Sequence, residues 1–117
     1  MRDPDVIVVG DFNTMGRQDP IPVSASQELT ALDRELAPGF RRLGLARRCT
    51  TYHARQGHTL DHIVASVGMH EVAPLARVTG YCALARCQAL AGTMPAAAER
   101  LSDHCPVVVD VRDEDRD

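Results

Sequence analysis

A chain of 117 residues, 44% hydrophobic and 25% charged, is composed like one ordinary globular domain, so disorder is not the expectation. A net charge of −3 supplies no global field toward nucleic acid or an anionic membrane. An aromatic content of 3%, with no Trp, argues against a base-stacking platform, and no apolar run nears the length of a membrane span.

Residues 5–10 read as a buried strand, because β-branched Val6, Ile7, Val8 and Val9 run together until Gly10. Gly10 is expected to turn the backbone and expose Asp11 and Asn13 at the strand end. Residues 14–23, with Gly16, Pro20 and Pro22, read as loop. Ser24 and Gln27 then form a capping box ahead of a helix whose apolar face is Ala25, Leu29, Leu32 and Leu36. Pro38 and Gly39 stop it. The helix is expected to pack on the sheet.

Residues 40–46 suggest a short docking turn, residues 49–53 a strand, and residues 55–58 a turn. All 13 basic residues are Arg, and Arg41, Arg42, Arg47, Arg48 and Arg55 fall close together. They read either as a phosphate-contacting rim or as a solvated face. Residues 60–66 form the second clear strand, with the carboxylate of Asp61 embedded in it. A buried carboxylate needs a partner. His62 should face away from Asp61 on the alternate side of that strand.

Residues 71–78 suggest an edge strand, because they contain Pro74. Residues 81–91 and 95–100 read as helices, and residues 105–111 as a closing strand that follows Asp103 and His104. The strands at 6–10, 60–66 and 107–111 are expected in one sheet, with Asp11, Asp61, Asp103 and His104 converging at one end. The acidic residues 113–117 read as a disordered tail.

The cysteines at 49, 82, 87 and 105 lack Cys-x-x-Cys spacing. With no secretory signal pattern, free thiols and a cytoplasmic setting are the expectation, and a Cys82–Cys87 bridge stays open. His53, His58 and His62 straddle a turn without a matching carboxylate or Cys, so a zinc site is disfavoured. Ser102 and His104 lie too close on one segment for a nucleophile and base, and no Gly-x-Ser-x-Gly elbow exists.

Three motifs stand in order: Gly10-Asp11-Phe12-Asn13, Leu60-Asp61-His62-Ile63 and Ser102-Asp103-His104-Cys105-Pro106-Val107. Together they resemble the endonuclease/exonuclease/phosphatase superfamily of metal-dependent phosphoesterases. The resemblance implies an α/β fold, a mixed β-sheet with flanking helices like the C-terminal half of a four-layer α/β sandwich. Residues 1–112 would be a partial domain of that kind. The preceding half would hold an early Asn and the Glu that is the main metal ligand.

The resemblance also implies roles. Asp11 would orient or deprotonate the attacking water. Asn13 would donate to a phosphate oxygen and help hold Asp11. His104 would donate to the charge that develops on phosphate. Asp61 would fix the His104 ring, a pairing that also makes sense on chemistry alone. Asp103 would hold Mg²⁺ or Mn²⁺, hard cations suited to oxygen donors. The implied substrate is a phosphate-containing molecule: nucleic acid, inositol phosphate or lipid headgroup. Self-association or a second chain would supply the missing half. The alternative is a catalytically inactive fragment or a partner-dependent non-enzymatic chain, in which Asp11 and Asn13 are only turn formers.

Overall fold

The computed structural model describes residues 5–46 and 49–114. In chain order the elements are β1 (Ile7–Asp11), α1 (Ala25–Leu36), β2 (Phe40–Arg42), β3 (Gly44–Leu45), β4 (Thr51–His53), β5 (Gln56–His58), β6 (Asp61–Ser66), β7 (Leu75–Val78), α2 (Tyr81–Leu84), α3 (Ala96–Arg100) and β8 (Val107–Val108). The chain is therefore mixed α and β, as the sequence suggests. The strands form not one sheet but a β1-β6-β2 sheet, a β3-β7-β8 sheet and a β4-β5 hairpin. The closing strand joins β7, with Val78 opposite Val107, rather than β1 and β6.

Strand β6 is central because its side chains are apolar on both faces. Ile63 and Ala65 enter one core with Leu43, Met69, Val72 and Ala76. His62 and Val64, on the alternate face, are buried as well. A second core gathers Cys49, Tyr52, Val78, Tyr81, Cys82 and Cys105, and the half-buried Leu45 and Val107 touch both.

Strand β1 departs from expectation. It pairs with β6, placing Ile7 opposite Ala65 and Asp11 opposite Asp61. Yet all five of its residues are exposed, Val9 to 66%. A β-branched run encodes a strand, but not what covers it. The molecule is also thin, 54 × 37 × 20 Å, with a radius of gyration of 15.8 Å. A compact domain of this length would have about 13 Å.

Helix α1 forms as its signals dictate. The Ser24 hydroxyl accepts from the Gln27 N–H, and the Ser24 N–H donates to Gln27 Oε1. It ends at Ala37, because a residue before proline disfavours helix. Its apolar face, Ala25, Leu29, Leu32 and Leu36, is only half-buried. Arg42 of β2 grips Asp33 through two hydrogen bonds of 2.8 Å and fixes the helix to the sheet.

Several boundaries shift for local reasons. Gly10 stays within β1, and the chain turns instead at Asn13, whose φ of 52° is left-handed. The β4-β5 turn is Ala54-Arg55, with φ of 47° and 65°, so residues 56–58 are strand rather than turn. Pro74 falls outside β7, which is the middle strand of its sheet rather than an edge. The expected helix over 81–91 stops at Leu84, because Arg86 and Cys87 turn left-handed at φ 53° and 58°. The closing strand shrinks to two residues, and Val111 makes only an isolated bridge to Val72. Helix α3 lies where the sequence places it.

The expectation of free thiols does not hold. Cys49 bonds Cys87, and Cys82 bonds Cys105, so the Cys82–Cys87 bridge does not form. The short helix α2 and its turn bring both Cys82 and Cys87 into the second core, where their partners already sit. Among the described residues no helix is long and apolar enough to cross a membrane. Arg47, Arg48 and residues 115–117 of the acidic tail lie outside the described residues.

Candidate active site

The antiparallel register of β1 and β6 sets Asp11 directly across from Asp61. A bridge between Thr51 and His104 brings the segment before β8 to the same place. Three donors hold the Asp103 carbonyl: the Thr51 hydroxyl at 2.6 Å, the Tyr52 N–H at 3.3 Å and the Tyr81 hydroxyl. The His104 N–H donates to the Ser102 hydroxyl at 3.0 Å, and the Cys105 N–H donates to the Thr50 carbonyl at 2.7 Å. A loop clamped on both sides of His104 presents its ring in a fixed direction.

That ring meets Asp61. His104 Nδ1 lies 2.7 Å from Asp61 Oδ2. Because the carboxylate can only accept, Nδ1 must carry the proton. Nε2 then points into the space beside two further carboxylates, 3.8 Å from Asp11 Oδ2 and 4.0 Å from Asp103 Oδ1. The hydrogen bond to Asp61 raises the His104 pKa; burial opposes it, and the charges of Asp61, Asp103 and Asp11 add to the rise. His104 therefore keeps its imidazolium form to higher pH than a free histidine, and in that form one N–H is committed to Asp61 and the other is offered outward.

Asp11 is held from its own loop. Its Oδ1 accepts the Asn13 N–H at 2.8 Å, a turn that suits the left-handed Asn13. The main chain of Asn13 thus fixes Asp11, and its side chain is exposed. Of the residues singled out in the sequence, Asp11, Asp61 and Asp103 lie about the His104 ring, and Asn13 joins them through its main-chain N–H.

One ligand atom from each of Asp11, Asp61 and His104 lies within 4.8 Å of the others. The donor chemistry sorts these further. Asp61 Oδ2 already accepts from His104 Nδ1 and from the Thr50 hydroxyl at 2.7 Å. Asp11 Oδ2 and Asp103 Oδ1 face the open side, on side chains 38% and 65% exposed. Asp103, the metal ligand that the resemblance implies, is not one of the three grouped residues, and the group does not by itself fix which ion it would hold.

Sequence reasoning missed Thr50, Thr51 and Tyr81. Adjacent threonines in a short polar segment were the available signal; their burial, to 0% and 2% exposure, is what makes their hydroxyls matter. His62 is buried on the alternate face from Asp61, where Nε2 meets the Thr14 hydroxyl at 2.9 Å. Burial, then the Arg42 charge, lowers its pKa. Of the arginine cluster, Arg41 donates to the Met69 carbonyl and Arg42 pairs with Asp33, so both serve the fold. A cavity of about 510 Å³ lies elsewhere, beside Arg77, Gly80 and Leu84. Its one ionisable side chain, Arg77, is paired with Asp110, so it is not where the chemistry gathers.

No family model, no curated protein and no solved structure matches this chain.

Proposed function

We propose that this chain carries the proton-handling part of a metal-dependent phosphoester hydrolase. The observation that carries the reading is the His104 ring. Asp61 pins its Nδ1, and its Nε2 is offered between Asp11 and Asp103. Phosphodiesters resist attack because their negative charge repels the nucleophile. Asp11 orients the attacking water and takes its proton. His104 donates from Nε2 to a phosphate oxygen as charge builds there. Asp61 keeps the ring in that orientation, and Asn13 contributes a further donor at the rim. A divalent cation held by Asp103 supplies Lewis acidity when bound.

The resemblance to the endonuclease/exonuclease/phosphatase superfamily supports the same assignment, and with it the C-terminal half of a four-layer sandwich. The exposed β1 and the thin shape support a further polypeptide, a second chain or a second copy, on that side. The substrate is phosphate-containing: nucleic acid, inositol phosphate or lipid headgroup. The two disulfides favour an oxidising compartment over the cytoplasm that the sequence suggests.

Titration with Mn²⁺ tests the metal assignment. Paramagnetic broadening should begin at the amides of residues 11–13 and 103–104, and Asp103→Asn should weaken it. Broadening confined to other parts of the chain, or none at millimolar Mn²⁺, would remove the metal from the account.

A further inference from the structure

Thr50 is fully buried, and its hydroxyl uses its whole bonding capacity. It accepts the Leu60 N–H at 3.1 Å and the Asp61 N–H at 3.0 Å. With both lone pairs occupied by backbone donors, its own proton has one direction left. It goes to Asp61 Oδ2 at 2.7 Å, the same oxygen that accepts from His104 Nδ1. The main chain of Thr50 reaches the other partner: its carbonyl accepts the Cys105 N–H at 2.7 Å, one residue beyond His104. Its N–H is fixed to the His58 carbonyl at 2.8 Å, and Cys49 beside it is tied to Cys87.

We infer that Thr50 is the positioning residue of this site: its hydroxyl sets the rotamer of Asp61, and through Asp61 the tautomer and direction of the His104 ring. A carboxylate at the start of a strand can turn about its side-chain bonds. A donor rigidly aimed at one oxygen removes that freedom. Without the hydroxyl, Asp61 loses its anchor and the neutral ring relaxes toward the Nε2–H form, whose Nδ1 has no proton to give Asp61. This deepens the phosphoesterase reading and rests on it only for the consequence to turnover.

The test needs no turnover. Ring ¹⁵N shifts of His104 in the full chain, recorded at a pH where the ring is neutral, report which nitrogen holds the proton. The native chain and Thr50→Ser should show predominantly Nδ1–H. Thr50→Val should shift to predominantly Nε2–H while the β1 and β6 amides keep their native positions. An unchanged Nδ1–H tautomer in folded Thr50→Val overturns the inference. If the valine variant does not fold, Thr50→Ala decides: a shift toward Nε2–H in the folded chain bears the inference out, and an unchanged Nδ1–H tautomer overturns it. Absence of phosphoesterase activity would leave this result intact, so the two readings fail separately.

Discussion

His104 and Asp61 stand 43 positions apart in sequence, yet Nδ1 of one lies 2.7 Å from Oδ2 of the other. The contact joins two different elements, β6 and the loop before β8, and its chemistry is that of a proton donor held by an acceptor. Asp61→Asn removes the charge while keeping the shape. The His104 pKa should fall back toward its ordinary 6.5, because the bond to Asp61 is the first cause of its rise. The exchange should cost about 1.5–3 kcal/mol, the usual range for a charged hydrogen bond. NMR titration of the ring measures the first effect and denaturant unfolding the second. An unchanged titration curve would mean the two groups do not pair.

Stability should depend on pH in two opposed ways. His104 has a raised folded pKa, so its contribution is full below the ordinary 6.5 and is lost as pH rises through the folded value. His62 has a lowered folded pKa, so its contribution is full above 6.5 and is lost as pH falls through the folded value. Both are fully present only around pH 6.5, where Tm should peak. His104→Gln should flatten the alkaline limb, and His62→Gln the limb that falls below pH 6.5. A Tm profile with the same acid limb in His62→Gln would contradict the buried neutral imidazole.

The disulfides close loops of 38 and 23 residues. Loop-closure entropy makes each worth about 3–4 kcal/mol. The native protein should show no free thiol by mass spectrometry after alkylation. Excess dithiol should lower Tm sharply, and loosening should appear first around residues 49–50 and 104–105. Full alkylation of the untreated native chain would refute the pairing.

What could be read from sequence was what is local or chemically obligatory. Ser24 and Gln27 cap a helix within one turn, so the start of α1 was legible. Asp61, a carboxylate in an apolar strand, had to have a partner, and His104 was the sensible one. Thr50 was not legible, because its importance lies in which way a hydroxyl points once Leu60 and Asp61 turn their amides to it. The pairing of Cys49 with Cys87 was hidden for a related reason: connectivity among four cysteines is not written in their spacing. Val6 to Val9 announced a strand, but burial depends on what packs over it, and there the expectation failed.

The isolated chain should hydrolyse bis-p-nitrophenyl phosphate and plasmid DNA little or not at all with Mg²⁺ or Mn²⁺. Asp11 and Asp103 offer two exposed carboxylates, and Mg²⁺ gives up water reluctantly to so open a site. Robust metal-dependent turnover, abolished in both Asp11→Ala and His104→Ala, would show instead that these residues complete a working centre unaided.

Whether His104 Nε2 addresses a metal-bound phosphate is the central question, and phosphate itself can answer it. Inorganic phosphate should be titrated into the full chain with and without Mg²⁺ while the His104 ring resonances are followed. The account predicts saturable shifts of that ring with Mg²⁺ present, much weaker shifts without it, and their loss in Asp103→Asn. No shift at tens of millimolar phosphate, or equal shifts with and without metal, would contradict it.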